Sequence, residues 1–319
     1  MIRHRRCWRW VSSVVTAVSM ISLSWASGPI VQKTFESPQG AVQAVLQACE
    51  HNDVRRLLEY FGQDGKDIIE SGDRKEDRLG RRRFVALAKE KTNLSPDPAD
   101  PNKMVLSIGD QDWPFPVPLI KKDGQWIFDS SQGREEIVAR RVGANELTAV
   151  EVCRGYVEAQ MEYAQNHKWN GIPEYAQKIV STPGQEDGLY WKPGKGEAVP
   201  DISEGFSKAA AGMTESKRVP YHGYLFAVLK AQGKDAQGGA MNYLVKDHMI
   251  GGFALVAWPA EYGVSGVQTF IVSNYGTVYE KNLDEDTAQT AKAMTDFNPD
   301  ASWTVVPETT DSDVPNAPH

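Results

Sequence analysis

The chain has 319 residues, of which 35 are basic and 42 acidic, and its formal net charge at pH 7 is −7. This excess of acidic side chains argues against nucleic acids and anionic membrane surfaces as partners, because both are bound through basic patches. A chain of this length can bury a sizeable core, and two domains are expected.

Residues 1–26 have the pattern of a signal peptide. Four arginines precede an apolar stretch, and Ser24 and Ala26 fit the small residues that signal peptidase requires. We expect cleavage near Ala26 and a periplasmic or extracellular location. An uncleaved anchor is the alternative and the only expected contact with a membrane, although the apolar run is shorter than the roughly twenty residues of a spanning helix. Cleavage removes four positive charges and no negative ones, which changes the net charge from −7 to −11.

Three helices are predicted next. Ser37 is the expected N-cap of the first helix, and the second spans residues 54–61 and ends at Gly62. The third helix, within residues 76–92, contains three consecutive arginines at 81–83. Because acidic residues lie close by, we interpret these arginines as a solvated face and not as an anion site.

Strands are predicted at residues 103–110 and 124–130. Between them, Pro114, Pro116 and Pro118 alternate, which predicts one edge strand with a blocked outer side. Helices followed by such a meander resemble the small α+β cone of the nuclear-transport-factor-2-like superfamily, over about residues 35–132. That resemblance implies either a pocket in the cone or a purely structural module.

A long helix is predicted over residues 133–167, and its broad apolar face must pack against a sheet. The expected buried stripe consists of Leu147, Val150, Cys153, Val157, Met161 and Ala164, and it is widened by Tyr156 and Tyr163. Cys153 and Cys49 are the two cysteines beyond residue 26, and both lie on buried helical faces. They are too few for a disulfide scaffold or a four-sulfur zinc site, and we favour free thiols over a bridge between them.

The sheet that should cover this helix follows. The segment "GGFALVAWPAEY" predicts a central strand at residues 253–258, apolar throughout because both of its faces are covered. Residues 267–273 form the next strand, with a short hairpin after it. A helix capped by Asp284 and a polar, disordered tail over residues 307–319 complete the chain.

Part of this half resembles type IV pilin-like proteins, over about residues 140–282. In "RRVGANELTAVEVCRGYVEAQMEYAQ", the spacings match those of the pilin helix. The matching positions are the residue pairs 145–146, 149–150 and 159–160, together with Arg154 and Tyr163. The strings "HGYLFAVL" and "GGFALVAWPAEYGVSGVQTFIVSNYGTVYE" are similar to the pilin meander. Pilins have an apolar stem where this chain has the charged "QGREEIVARR". The resemblance therefore implies a pilin-like head on a different N-terminal domain.

From about residue 35 to 304, the chain also resembles a bacterial family known as domain of unknown function 2950. The strings that carry this resemblance are "GDQDWPFPVPL", "EDGLYW", "YHGY", "AQGKDAQGGAMNY", "MIGGFALVAWPAEYGVSGV" and "NPDASW". It implies an exported bacterial protein and supplies no activity.

Together these patterns predict an α+β protein. Residues 35–132 should form N-terminal helices with a small, cone-like antiparallel sheet, and residues 134–306 a long helix packed on an antiparallel pilin-like sheet. The expected function is non-enzymatic binding or scaffolding at the cell envelope, with an envelope protein as partner. Two alternatives remain open: an envelope hydrolase with its site between the domains or in the cone, and a pilus-associated minor component.

No catalytic, cofactor-binding or metal-binding residue is predicted, since the helical zinc pair, the phosphate loop and the nucleophile elbow all lack their motifs. The residues proposed for a recognition surface are His222, Trp258, Glu261 and Tyr262. The enzyme hypothesis requires that His222, Glu174, Asp187 or Glu261 come within hydrogen-bond reach in a concave pocket.

Overall fold

The computed structural model describes residues 31–185, 187–191, 204–211 and 219–308. The predicted signal peptide and residues 309–319 of the predicted tail lie outside these ranges. The chain divides into two compact units, the first ending at Ser131 and the second beginning at Gln132. Both units combine helices with mainly antiparallel sheet, so the predicted α+β class is confirmed. None of the described helices has the length and apolar character needed to cross a membrane.

The first unit begins with four α-helices. They are α1 (Pro38–Glu50), α2 (Val54–Phe61), α3 (Lys66–Ile69) and α4 (Arg74–Glu90). Ser37 caps α1 as predicted, because its hydroxyl accepts a hydrogen bond from the Gly40 amide at 3.1 Å. Gly62 ends α2 with a φ of 71°, a left-handed conformation that glycine adopts without strain.

Five strands follow the helices of the first unit. They are β1 (Thr92–Pro96), β2 (Lys103–Ile108), β3 (Trp113–Pro114), β4 (Leu119–Lys122) and β5 (Gln125–Phe128). The sheet runs β1-β2-β4-β5, and β3 pairs with β2 beyond the end of β4. The prediction of one proline-rich edge strand is wrong. Pro116 and Pro118 have no amide hydrogen to give to a ladder, so the segment splits into β3 and β4.

The helices and the sheet of this unit share one core. Its largest members are aromatic, and the rings of Phe61 and Phe128 lie 4.7 Å apart between centroids. Val45, from α1, and Leu106, from β2, are buried in the same cluster. The first unit therefore has its own apolar centre, as a separate domain requires.

The second unit contains three helices and twelve strands among its described residues. The helices are α5 (Ser130–Asn166, which begins at the boundary), α6 (Glu204–Ala211) and α7 (Thr287–Ala293). The strands are β6 (Lys168–Trp169), β7 (Ile172–Pro173), β8 (Tyr224–Leu229), β9 (Ala231–Gln232), β10 (Met241–Asn242), β11 (Leu244–Val245), β12 (His248–Met249), β13 (Ala254–Pro259), β14 (Gln268–Ser273), β15 (Val278–Asn282), β16 (Asp296–Phe297) and β17 (Thr304–Val305). The main sheet has the order β17-β15-β14-β13-β8 and is antiparallel throughout.

Strand β13 lies inside this sheet and is buried along its whole length, which confirms the predicted central strand. Helices α5 and α7 pack against the sheet, and Tyr156 of α5 meets Phe253 edge-on with 5.6 Å between ring centroids. Burial of both faces of β13 therefore explains why the sequence of this strand is apolar throughout.

Helix α5 confirms the predicted long helix, but its buried stripe differs from the predicted one. Leu147 and Met161 are 43% and 42% exposed, whereas Val152, which lies outside the predicted stripe, is almost fully buried. The buried face is centred on Tyr156. It is therefore rotated about the helix axis, by about one residue position, from the centre of the predicted stripe. Apolar spacing gives the period of a stripe, while the partner sheet decides which side of a broad stripe is covered.

The last helix also differs from the prediction. Asp284 has a φ of 55° and opens a short 3₁₀ turn, Asp284–Asp286, and α7 begins only at Thr287. The side chain of Asp284 is therefore not the expected N-cap. The helix stops at Ala293, since residues 296–297 pair in parallel with β9 as β16.

A polar contact from α5 fixes the start of β14. Glu146 accepts hydrogen bonds through Oε1 from the amides of Val267 and Gln268, at 2.8 and 3.0 Å. The Tyr224 hydroxyl donates to the Gln268 carbonyl at 2.8 Å, and burial, followed by the charge of Glu146, raises the pKa of that hydroxyl. Gly266 leaves the room for this ring, because a Cβ atom there would lie 2.2 Å from the Tyr224 oxygen.

We predict that Glu146→Ala lowers the free energy of unfolding by about 1.5–3 kcal/mol, the value of hydrogen bonds to a charged group. The reason is that two amides at the start of β14 lose their acceptor. Urea unfolding followed by circular dichroism measures the change. Glu151→Ala is the matched control, since Glu151 is exposed on the same helix, and its effect should stay within about 0.5 kcal/mol. Equal effects of the two variants would contradict the role given to Glu146.

Cys49 and Cys153 are both free and buried, as the sequence predicts. Burial disfavours the thiolate and raises the pKa of Cys49 to about 11 and that of Cys153 to about 12.

We therefore expect the folded chain from residue 27 onward to resist iodoacetamide at pH 8, and the unfolded chain to be alkylated at both cysteines, as counted by mass spectrometry. Because the native pKa values are raised, the stabilisation from the protonated thiols is complete below about pH 9 and is lost as the pH rises above that value. Rapid alkylation of the folded chain, or a disulfide between the two residues, would show that the thiols are not buried as described.

Candidate functional site

Two short hairpins of the second unit meet at a cluster of aromatic, imidazole and carboxylate side chains. Residues 170–171 (Asn-Gly) join β6 to β7, and residues 246–247 (Lys-Asp) join β11 to β12. All four turn residues have positive φ, between 49° and 82°, as two-residue hairpins of type I′ require. Such turns leave the flanking residues little freedom, so the side chains beside them are held in place.

Trp169 and His248 join the two hairpins to each other. Their rings stack with 4.7 Å between centroids and 22° between planes. Nδ1 of His248 lies 2.8 Å from Oε1 of Glu174, and both side chains are about one-third exposed or less. The carboxylate thus fixes the orientation of the imidazole, whose Nε2 has no hydrogen-bond partner in the described part of the chain. A backbone bond from Tyr175 to the Met249 carbonyl, 2.8 Å long, runs beside this contact.

Tyr163, on the last turns of α5, adds a second stack, with 3.7 Å between its ring and that of His167. Burial, and then the negative charges of Glu174 and Asp187, raise the pKa of Tyr163. Burial disfavours the charge of Asp187, but hydrogen bonds from Lys178 and Thr182 outweigh it and lower its pKa to about 2. Glu174 and Asp187 are therefore both near Tyr163 but are engaged with different partners.

Two exposed apolar residues extend the cluster. Ile172 is paired with Trp169, and Val245 is paired with His248, and the exposed fractions of these two aliphatic residues are 45% and 43%. Residues directly opposite each other in an antiparallel pair lie on the same side of the hairpin. We call the row Ile172, Trp169, His248 and Val245 the hairpin face.

The residues that the sequence proposes for recognition lie elsewhere in the second unit. His222 is exposed at a left-handed position, with a φ of 42°, in the turn before β8. Glu261 is exposed and Tyr262 half-buried in the loop after β13. The Ala260 amide donates to the Gly223 carbonyl at 2.8 Å, so these two segments adjoin. The structure therefore brings His222, Glu261 and Tyr262 onto neighbouring turns.

Trp258 does not share that surface. It is completely buried in β13, where it pairs with Leu225 of β8. A side chain without exposed area belongs to the core, and the short distance in sequence to the next turn does not bring it to the surface.

The four residues named for the enzyme hypothesis do not form hydrogen bonds with one another. Glu174 contacts His248, Asp187 contacts Lys178, and His222 and Glu261 lie on turns. Within the described ranges, no group of three or more histidine, cysteine, aspartate or glutamate side chains is arranged to hold a metal ion.

The first unit has a groove of about 360 Å³ between α1 and α4. Leu46, Val85 and Ala88 line it, and a 2.7 Å ion pair joins Lys89 to Glu50 at its side. Its lining contains no hydroxyl, thiol or imidazole group, and its one carboxylate, that of Glu50, is the group paired with Lys89.

The sequence identifies Glu174 only as a candidate carboxylate. It does not indicate Trp169 as a site residue, nor the contact between Glu174 and His248. The Asn-Gly pair in "HKWNGIPEY" is a strong hairpin signal that places Trp169 and Ile172 opposite each other. Nothing local in the sequence connects this hairpin to His248, which is 74 residues after Glu174.

The chain was compared with family models, curated proteins and solved structures. The model described as protein of unknown function (DUF2950) matches residues 32–306. Neither the curated proteins nor the solved structures contain a significant match. The pilin-like and nuclear-transport-factor-2-like resemblances stay predictions. Since the matched range covers most of its length and both described units, the chain belongs to the DUF2950 family.

Proposed function

We propose that this protein is an exported, non-enzymatic binding protein of the bacterial cell envelope that holds a protein partner on its hairpin face. The observation that carries this proposal is the Trp169–His248 stack, which Glu174 orients and which Ile172 and Val245 flank. The basic, then apolar, residues 1–26 support export.

The composition of the hairpin face suits a protein contact. Binding energy at protein interfaces concentrates on a few residues, with tryptophan prominent among them, surrounded by contacts that exclude water. Trp169 is half-buried and held by a ring on His248, so binding costs it little conformational entropy. Ile172 and Val245 offer apolar area at its two sides. Single exposed aliphatic residues are ordinary, but two that flank a stacked aromatic pair support a contact surface.

The contact of Glu174 with His248 favours a second candidate, an envelope hydrolase. A carboxylate that orients an imidazole through Nδ1 leaves Nε2 to act as a general base. All the residues of this site belong to the second unit. No adjacent nucleophile is evident among the described residues, which is why binding is preferred.

We predict that a double variant, Ile172→Asp with Val245→Asp, reduces recovery of the partner at least about thirtyfold, because an interface hot spot contributes 2 kcal/mol or more and a buried unpaired charge removes it. Tagged wild type and variant, each beginning at residue 27, are used to capture proteins from the host envelope, and quantitative mass spectrometry compares what is retained. Both substituted residues are exposed, so circular dichroism should show an unchanged fold.

Two control variants keep the outcome interpretable. Val305→Asp changes an exposed valine on β17 and should bind as the wild type does. Val264→Asp changes an exposed valine beside Glu261 and Tyr262. If Val264→Asp removes the partner and the double variant does not, the turn surface with His222 is the recognition surface and the hairpin face is not. Recovery of no specific partner by the wild type would contradict the binding function itself.

A further inference from the structure

Helix α4 is a strongly basic segment of an acidic chain. Its seventeen residues include seven lysines and arginines and three acidic residues, a local charge of +4, whereas the whole chain has −7. Six of these basic residues are exposed, and five of the six have side chains that make no hydrogen bond or ion pair with any residue that the structure describes. These five are Arg74, Lys75, Arg78, Arg82 and Arg83.

The acidic residues nearby form no ion pair with these five side chains in the part of the chain that the structure describes. Asp73 accepts hydrogen bonds from the amides of Lys75 and Glu76 as the N-cap of α4. Asp77 accepts from the hydroxyl and the amide of Ser71, at 2.7 and 3.0 Å, and these bonds lower its pKa. Glu50 is paired with Lys89. Glu76 and Glu90 are the acidic side chains left exposed on the helix.

The consecutive arginines separate into two roles. Arg81 is half-buried, and its guanidinium donates to the Asn52 side chain at 2.8 Å and to the Ile69 carbonyl at 3.1 Å. It therefore holds the helix to the rest of the unit. Arg82 and Arg83 are exposed, since Val85 and Ala88 define the buried side of α4.

The exposed side of α4 has an apolar centre. Leu79 is 39% exposed. Residues three and four positions away are its neighbours on the helix surface, and three of these four are the cations Lys75, Arg82 and Arg83. An exposed leucine beside long basic side chains combines two contributions to binding at anionic membrane surfaces, namely buried apolar area and electrostatic attraction.

We propose that α4 is a docking surface for the anionic lipid headgroups of a membrane. The exposed lysine and arginine side chains contact lipid phosphates, and Leu79 enters the boundary between headgroups and acyl chains. A membrane fits better than a nucleic acid, because phosphodiester backbones offer no apolar layer for Leu79. The acidic remainder of the chain does not prevent this contact, since charges more than about 8–10 Å away are screened at physiological salt.

Vesicle co-sedimentation of the chain from residue 27 onward tests the proposal. One set of vesicles contains only phosphatidylcholine, and the other also contains phosphatidylglycerol as the anionic lipid. We expect binding to the anionic vesicles only, and release by high salt. The triple variant Arg78→Glu, Arg82→Glu, Arg83→Glu should bind at least about a hundredfold more weakly, because each basic residue near such a surface contributes about fivefold.

A matched variant separates the surface of α4 from the total charge. Charge reversal at three exposed basic residues outside α4, namely Lys122→Glu, Arg141→Glu and Lys292→Glu, changes the net charge by the same amount. This variant should retain most of the binding. A loss equal to that of the α4 variant would overturn the proposal, as would failure of the wild type to bind anionic vesicles.

Leu79→Ala distinguishes a membrane from a soluble polyanion without altering charge. We expect this variant to bind anionic vesicles several-fold more weakly, and heparin, the soluble probe, as the wild type does. Two results together would show that α4 binds soluble polyanions and not membranes, and the proposal would then be wrong. In that case heparin binds the wild type at least as tightly as the anionic vesicles do, and Leu79→Ala leaves vesicle binding unchanged.

Discussion

The second unit depends on the burial of one face of α5 against a sheet whose inner strand, β13, is closed to water on both sides. This burial also requires that polar groups on the helix find partners, because an unsatisfied buried polar group costs about 1–3 kcal/mol. Gln160 is completely buried and meets this requirement by bonding the amide and carbonyl of Ala176, at 2.9 and 2.8 Å, and the Tyr156 hydroxyl. The same contact anchors the chain two residues after Glu174. The helix therefore packs the core and at the same time sets the position of the hairpin face.

Helix α5 acts on the sheet at two places. Near its middle, Glu146 accepts hydrogen bonds from the amides of Val267 and Gln268 at the start of β14. Near its end, Tyr163 stacks on His167 beside the hairpins. Between these two places, the inward-facing side chains of α5 lie in the hydrophobic core. This division explains why Glu146 and Gln160 occur on the inner side of the helix: each bonds backbone groups, of Val267 and Gln268 or of Ala176, that would otherwise lack a partner.

Local signals in the sequence are enough to predict the parts of the fold that depend on local physics. Ser37 caps a helix and Gly62 ends one because their own backbone and side-chain chemistry favours it, and β13 is recognisable because a strand covered on both faces must be apolar throughout. The exposure of Leu147 and the burial of Trp258 were not predictable in this way, since each depends on where a partner element is placed. The candidate site is the extreme case: Glu174 and His248 meet only because two hairpins, distant in sequence, dock side by side.

Net charge is a poor guide to what a surface binds when the charges are segregated. An overall excess of acidic groups argues against anionic partners, yet α4 collects five exposed basic side chains that form no ion pair with any described acidic residue. Screening limits each surface to the charges within about 10 Å, so α4 can act by its own charge. The hairpin face, in contrast, relies on apolar burial and an oriented imidazole, and salt should affect it little. The two proposed surfaces would therefore respond differently to salt, which would weaken binding at α4 and leave binding at the hairpin face nearly unchanged.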